Sequence, residues 1–399
     1  MTSIRTSKVR FDRDDAARLM ALSVIAAFGF AWWAVLATQW SDEAVLTQRD
    51  FYCFYRAGEL WIEGGDPFSQ EDHAFVNPPF TLPLVVVLRS LGLRGSYVAL
   101  AFLGAAAWVL GCMLAVRFGE ASERRRTTVA IILLTTPCAF LALHLGQLSG
   151  VYFALLTGSL LAMARGHDRT AGALAALLMA KPNFVIALIG AAIVWGRRRL
   201  LVTFALGTAV LVAISLPFGS EMWLDFWRAL TRLAVRHDTV VSDYWKQLTV
   251  YAFLRASMHD FDPDGMLARM LWLLIAFVFG AVIARVLWRH RDGEPAMAAR
   301  MASVVVLATC ALNAYLFYYD AVFLALPAAT LVVAKRAWRS PLLHRSAIVC
   351  AVSSWWLQVG LTFLHEDPPL HGIVTALWLA IELADLNAIS RPAFCPLTR

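Results

Sequence analysis

A short polar stretch of the sequence brings together residue types that can transfer a proton. Asp50 lies in the stretch Arg49–Gly58, directly before a run of aromatic residues. A carboxylate within hydrogen-bond reach of a hydroxyl group can remove its proton as a general base. The alternative is that Asp50 caps the half-buried helix predicted by the spacing of Phe51, Phe54 and Trp61.

A lysine interrupts an apolar segment further along the chain. Lys181 and Pro182 lie near the middle of Thr170–Trp195, and proline breaks the helical hydrogen-bond ladder there. A lysine at the centre of a membrane span costs ~2.5–3.5 kcal/mol, so it normally faces a cavity and a partner. Snorkelling to the surface is the alternative, which its central position disfavours. His144 and Gln147, at the end of another run, are further candidates to hold a departing phosphate, on which negative charge builds up. For His144, an ordinary interfacial position is an equal alternative.

A third polar group, Tyr318, Tyr319 and Asp320, follows a later apolar run. These side chains could bind a sugar or balance the charges around a phosphate. At least one tyrosine is expected to belong to the aromatic belt of the membrane interface instead. Asp320 alternatively ends one helix and begins the next.

Metal and cofactor motifs are not recognised in the sequence. It has no zinc spacing, Walker loop or glycine-rich dinucleotide loop, and its six cysteines show no paired spacing. His365, Glu366 and His371 have metal-like spacing, but the Pro368-Pro369 turn between them favours a solvated loop. The sequence also shows no second external acidic residue arranged as a metal pair with Asp50, and no cofactor is predicted. Asp320 is the residue that could overturn a metal-free site.

The elements that position these residues must be membrane spans, because the chain is too apolar for a soluble protein. Of its 399 residues, 60% are hydrophobic and 16% charged, and the mean hydropathy is +0.63. Soluble domains are about half apolar and about a quarter charged. The composition excludes a water-soluble globular enzyme, a disordered protein and a disulfide-stapled secreted domain. The net charge of +7 lies in clusters between apolar runs, which marks a cytoplasmic membrane face rather than a nucleic-acid partner.

The apolar runs predict an all-α, polytopic transmembrane bundle with about ten to twelve spans. Leu19–Thr38 is the predicted first span, uncleaved and with its N-terminus in the cytoplasm. Phe80–Leu91 is too short to cross upright and Thr170–Trp195 is broken, so both are predicted as half-helices or re-entrant pieces. The other predicted spans are Ser96–Val116, Thr127–Leu143, Gly150–Ala164, Leu200–Pro217, Met266–Trp288, Met297–Phe317, Ala321–Ala334, Ser346–Leu364 and Gly372–Ile389.

Charge predicts the orientation of this bundle. If the two irregular segments do not cross, nearly every arginine cluster falls on one side, which is then cytoplasmic. The other side receives the long loops at 39–79 and 218–265. Aromatic residues in the second loop predict a helix lying on the membrane surface. We interpret residues 1–399 as a single transmembrane domain.

The order of short motifs resembles the polytopic, polyprenyl-phosphate-sugar-dependent glycosyltransferases of the GT-C fold, and specifically glycosyltransferase family 87. The motifs that carry the resemblance are Asp50-Phe51 with Tyr55-Arg56-Ala57-Gly58, Gly65-Asp66-Pro67-Phe68, Pro78-Pro79, His144-Leu145-Gly146-Gln147, Ala180-Lys181-Pro182 and Tyr318-Tyr319-Asp320. The resemblance implies that Asp50, in the external loop 39–79, is the catalytic base and that no metal is needed. The expected donor phosphate and sugar residues are Arg56, His144, Gln147, Lys181, Tyr318, Tyr319 and Asp320.

The predicted function is that of an inverting glycosyltransferase. It would move a hexose, with mannose expected, from a polyprenyl phosphate to a glycolipid or cell-envelope glycan outside a bacterial inner membrane. A lipid-linked donor is required because nucleotide sugars are absent outside the cytoplasm. A lipid-linked sugar transporter or flippase is the alternative. A broken helix with an intramembrane lysine, Lys181, is typical of transporters, but the two halves of this sequence show no internal repeat of the kind that transporters often have. An accessory subunit without activity of its own is a third interpretation.

Overall fold

The computed structural model describes residues 43–70, 74–119, 121–239, 246–291, 295–364 and 370–389. The described residues form α-helices joined by short 3₁₀ turns. The helices are α1 (Glu43–Thr47), α2 (Tyr52–Ile62), α3 (Leu82–Ser90), α4 (Gly92–Ala115), α5 (Glu123–Leu134), α6 (Pro137–His144), α7 (Ser149–Ala164), α8 (Asp168–Leu177), α9 (Ile186–Val194), α10 (Arg198–Ser215), α11 (Glu221–Thr239), α12 (Val250–Met258), α13 (Met266–Arg289), α14 (Pro295–Leu312), α15 (Ala325–Val333), α16 (Pro341–Leu364) and α17 (Leu370–Ile389). The predicted span Leu19–Thr38 and the residues His365 and Glu366 lie outside the described residues.

Within the described part of the chain, four helical segments are long and apolar enough to cross a membrane: α4, Arg198–Phe218, α13 and Leu370–Ala388. The pair α5–α6 passes the same test only when taken together; it is bent by 48° at its break, as a broken span or a re-entrant loop is. The predicted span Ser346–Leu364 lies in the 24-residue α16, while others, such as the 16-residue α7, are shorter apolar helices. The predicted all-α membrane bundle with broken helices is confirmed, and the protein is a multi-pass membrane protein.

The predicted break at Lys181 is confirmed. Helix α8 passes into a 3₁₀ turn at Leu178–Ala180, and a second turn at Pro182–Phe184 leads into α9. Lys181 between the turns has φ −138° and ψ 81°, outside the helical region. Proline at the following position disfavours helical geometry at Lys181, which explains why the helix stops there.

The bundle has an inner and an outer layer. The inner layer is formed by α7, α14 and the segment Tyr318–Val333. Within Tyr318–Val333 nearly every side chain is buried. Helices α10 and α13 present large apolar side chains outward, including Leu206 and Phe277, which are 64% and 75% exposed. Apolar surface of this kind is expected where helices face lipid.

A buried ionic cluster ties α14 to α17. The Arg300 guanidinium donates to Oε2 of Glu382 at 2.6 and 3.0 Å and to Oδ2 of Asp385 at 2.6 Å. All three side chains are fully buried, and the guanidinium stacks 3.9 Å from the ring centroid of Trp338. Because charges inside a bundle are costly unless paired, this cluster holds the two helices in one register.

The predicted surface helix of the 218–265 loop is present as α11. Its inner face buries Phe226, which contacts the ring of Phe68 from the first loop, with the centroids 6.1 Å apart. Its outer face exposes Leu224, Trp227 and Val235. That this face lies on the membrane remains a prediction.

Candidate active site

Asp50 lies where the chain turns from α1 into α2. The N-cap position of α2 falls on Phe51, so the alternative that Asp50 occupies it is not what the structure shows. The Asp50 carboxylate instead accepts a hydrogen bond from Nε2 of Gln147 at 2.8 Å. The backbone N–H of Phe51 donates to the carbonyl of Leu145 at 3.0 Å. Two hydrogen bonds therefore hold this part of the first loop against the end of α6.

The end of α6 is a glycine-terminated helix stop that sets the position of Gln147. Gly146 has φ +68°, and the N–H groups of Gly146 and Gln147 donate to Leu143 and Ala142. This is the Schellman pattern, in which glycine supplies the left-handed residue. A Cβ atom at Gly146 would lie 2.5 Å from Cβ of Phe51. Only glycine permits both the turn and this close approach.

Arg49 forms a further connection between the first loop and α6. Its side chain is 4% exposed, and Nη1 donates to the hydroxyl of Tyr97 at 3.1 Å and to the carbonyl of His144. Burial lowers the pKa of the Arg49 guanidinium from its usual value. Burial and the neighbouring Asp50 charge raise the pKa of the Cys53 thiol, so Cys53 stays protonated.

Lys181 and Asp320 form an ion pair inside the bundle. The Lys181 ammonium lies 2.7 and 2.9 Å from the two carboxylate oxygens of Asp320, which is fully buried. The Ser149 hydroxyl, at the start of α7, donates to the same carboxylate at 2.6 Å. The Lys181 side chain is 22% exposed, so the ammonium is reachable although it is paired.

Aromatic residues connect the ion pair to the Asp50 carboxylate. Nζ of Lys181 lies 5.3 Å from the ring centroid of Tyr319 and 5.8 Å from that of Tyr152. The Tyr319 hydroxyl interacts electrostatically with both Asp50 and Asp320, and the Tyr318 hydroxyl interacts with Asp50. The carboxylate, the tyrosines and the ion pair therefore lie near one another, and we call them, with Gln147, the central cluster (Asp50, Gln147, Lys181, Tyr318, Tyr319 and Asp320).

The family model of glycosyltransferase family 87 matches residues 75–317, which is more than half of the chain. The chain belongs to glycosyltransferase family 87. This membrane glycosyltransferase is also similar to the crystal structure of ArnT from Cupriavidus metallidurans in the apo state, with 15% identity and a TM-score of 0.42. The alignment covers 94% of this chain and 78% of ArnT. No curated protein sequence matches the chain.

The matched region of the family 87 glycosyltransferase includes His144, Gln147 and Lys181, but it begins after Asp50 and ends just before Tyr318. The predicted family is therefore confirmed, while the catalytic role of Asp50 remains a prediction. The role of each donor-binding residue also remains a prediction.

Two of the predicted site residues lie apart from the central cluster. Arg56 forms an ion pair with Glu59, and Glu59 also contacts Arg89 at 3.2 Å. His144 contributes its backbone carbonyl to Arg49, while its ring stacks on Phe140 with the centroids 5.8 Å apart.

The acidic residue that would overturn the metal-free prediction, Asp320, is bound to Lys181 and Ser149. Among the residues that the structure describes, no three His, Cys, Asp or Glu side chains come together as a metal site. The absence of a metal requirement stays a prediction.

Ser149 contacts Asp320, and Arg49 holds the loop that carries Asp50 against the end of α6, but neither residue was predicted from the sequence. Arg49 precedes Asp50 directly, and Ser149 follows the His144–Gln147 motif by two residues. The sequence feature that could have pointed to them is that each lies next to predicted site residues. Neither residue type is unusual at a membrane interface, so their identity alone does not single them out.

We expect Gly146→Ala to reduce transfer activity strongly, because the added Cβ collides with Phe51 and displaces Gln147 from Asp50. Gly92→Ala is the matched control, since Gly92 has φ +72° but nothing within 4 Å of the added Cβ. Both variants carry the left-handed strain of about 1–2 kcal/mol. The measurement is the sugar-transfer rate of each purified variant, normalised to the amount of folded protein. A lower rate in Gly146→Ala than in Gly92→Ala assigns the loss to the collision with Phe51. Equal rates would contradict the role assigned to this contact.

Proposed function

We propose that this glycosyltransferase moves a hexose, with mannose expected, from a polyprenyl phosphate to a glycolipid or cell-envelope glycan. The acceptor hydroxyl attacks the anomeric carbon, and the bond from that carbon to the phosphate oxygen breaks with its electron pair leaving on the phosphate. Asp50 takes the acceptor's proton, and the anomeric configuration inverts. The observation that carries the proposal is the Asp50 carboxylate, held by Gln147, in the same cluster as the Lys181–Asp320 pair.

The charges of the central cluster suit this reaction. Negative charge develops on the leaving phosphate, where Lys181 supplies an ammonium group and the tyrosines supply hydroxyl donors. Asp320 holds the Lys181 ammonium in place when no donor is bound. Asp50 is held by Gln147 and Lys181 is held by Asp320, so the proposed base and the proposed phosphate site are different groups with different partners.

An apolar groove beside the central cluster suits the prenyl chain of the donor. It lies between α9, α13 and α14 and has a volume of about 470 Å³. One end is polar, with Asn183 and Asn313, and Asn183 follows Lys181 by two residues. The other end is lined by Val194 and Leu287. A lipid phosphate at Lys181 would therefore have its chain directed into this groove.

Sugar transfer by the purified protein is the direct test. Labelled mannose on a polyprenyl phosphate, offered with extracted envelope glycolipids, is expected to appear in the acceptor fraction. We place the reaction at the extracytoplasmic face of the bacterial inner membrane, so reconstituted vesicles should transfer only where the 39–79 loop faces the donor. Movement of the intact lipid-linked sugar across the vesicle, with no transfer, would indicate the flippase instead.

The groove can be tested in the same assay with Gly280→Leu. Gly280 lines the groove, and a Cβ added at this glycine would have nothing within 4 Å, so a leucine fills the space without a backbone collision. We expect a several-fold higher KM for a long-chain donor and an unchanged KM for a short-chain analogue. An equal effect on both donors would contradict the placement of the prenyl chain.

A further inference from the structure

A second apolar groove lies on another side of the bundle, between α4, α7 and α8. Its volume is about 470 Å³. Its apolar lining consists largely of leucines together with small residues, among them Ala107, Ala154 and Gly158. None of its lining residues belongs to the central cluster or to the groove proposed for the donor.

One end of this second groove is basic. Arg165 and His167 line it there, immediately after the end of α7, and both side chains are exposed. Neither side chain forms a hydrogen bond or ion pair with the residues that the structure describes. They are therefore cationic or polar groups available to a ligand at the mouth of an apolar groove.

The backbone fixes the two residues in this position. Gly166 between them has φ +76°, and the N–H of His167 donates to the carbonyl of Ala162 at 2.8 Å. The same Schellman pattern that ends α6 thus ends α7 and sets Arg165 and His167 side by side. Ser149, at the other end of α7, contacts Asp320 of the central cluster. The basic end therefore lies at the end of α7 that is away from Asp320.

The groove is long enough to hold one acyl chain. From Val151 to Arg165 it follows α7 for about 21 Å at 1.5 Å per residue. This exceeds half of the ~30 Å hydrocarbon core, which is the depth one lipid chain occupies. Basic pockets between transmembrane helices are suited to anionic lipid head groups.

We propose that this groove binds an anionic phospholipid, with its phosphate at Arg165 and His167 and one acyl chain along α7. The lipid is a structural ligand, distinct from donor and acceptor. Its site does not depend on the proposed transfer reaction, because binding can be measured without any sugar substrate.

Native mass spectrometry of the delipidated full chain tests the proposal. The probes are phosphatidylglycerol, which is anionic, and phosphatidylcholine with the same acyl chains, which has no net charge. We expect the wild type to bind one phosphatidylglycerol about tenfold more tightly than phosphatidylcholine, and Arg165→Gln with His167→Gln to remove this preference. Arg199→Gln is the matched control, since Arg199 is an exposed arginine that does not line the groove.

Gly158→Phe tests the apolar part of the site. A Cβ at Gly158 would lie 3.3 Å from Leu174 and 3.6 Å from Leu114, so a phenylalanine fills the groove and should weaken binding of both lipids. An unchanged preference in the Arg165/His167 variant would overturn the proposal. The proposal would also be overturned if inorganic phosphate alone stabilised the protein against heat as much as phosphatidylglycerol does, because the ligand would then be a free anion.

Discussion

Asp50→Asn is expected to lower the rate of sugar transfer by about 10²–10⁴-fold, the usual contribution of a positioned general base. Asparagine keeps the size of the side chain and an oxygen that can accept the Gln147 hydrogen bond, so the loop should stay in place. Donor binding should persist, because no direct contact of Asp50 with the phosphate is proposed. The measurement is the transfer rate at saturating lipid-linked sugar, together with donor affinity by equilibrium binding.

Glu63→Gln is the control for Asp50→Asn. Glu63 is an exposed carboxylate immediately after α2 on the same loop, so its loss changes the loop charge by the same amount. Full activity in Glu63→Gln with loss in Asp50→Asn assigns the effect to position 50. Transfer by Asp50→Asn at the wild-type rate would show that another group removes the proton.

Arg300→Met is expected to destabilise the folded protein by about 3–5 kcal/mol, because it leaves two buried carboxylates without their cation. Glu382 and Asp385 would then face each other inside the bundle. Asp385 also accepts the backbone N–H groups of Arg339 at 3.1 Å and Ser340 at 2.8 Å, so the turn after α15 should loosen as well. Thermal unfolding of the purified protein in detergent measures the loss.

Two further variants identify the cause of that loss. Adding Glu382→Gln and Asp385→Asn to Arg300→Met removes the unpaired charges, and we expect most of the stability to return. Arg345→Met removes an exposed arginine of α16 and should change stability by no more than about 0.5 kcal/mol. If Arg300→Met unfolded at the wild-type temperature, the cluster would have no structural role.

The sequence predicted the helical membrane fold because long apolar runs leave few other solutions. It also predicted the break at Lys181, since proline in an apolar segment has a direct local effect. Span lengths were less predictable: α14 ends at Leu312 although the apolar run continues to Phe317. Hydropathy shows which residues are apolar, but the residue at which a helix ends also depends on packing against neighbouring helices, which hydropathy does not contain.

All six residues of the central cluster could be named from the sequence, but their partners could not. Gln147 and Asp50 are 97 positions apart, and Lys181 and Asp320 are 139 apart. Such pairs depend on which helices become neighbours. Arg56 was predicted near the site because it lies close to Asp50 in sequence, whereas the structure pairs it with Glu59, one helical turn away.

The ion pair between Lys181 and Asp320 has a consequence for how this family can vary. The two side chains neutralise each other in a place where a single charge would be costly. Loss of either residue alone leaves the other as an unpaired charge, whereas replacement of both by neutral residues leaves no charge unpaired. Natural variation at these two distant positions should therefore occur as coordinated replacement, and a chain with only one of the two charges should have acquired a new counter-ion nearby.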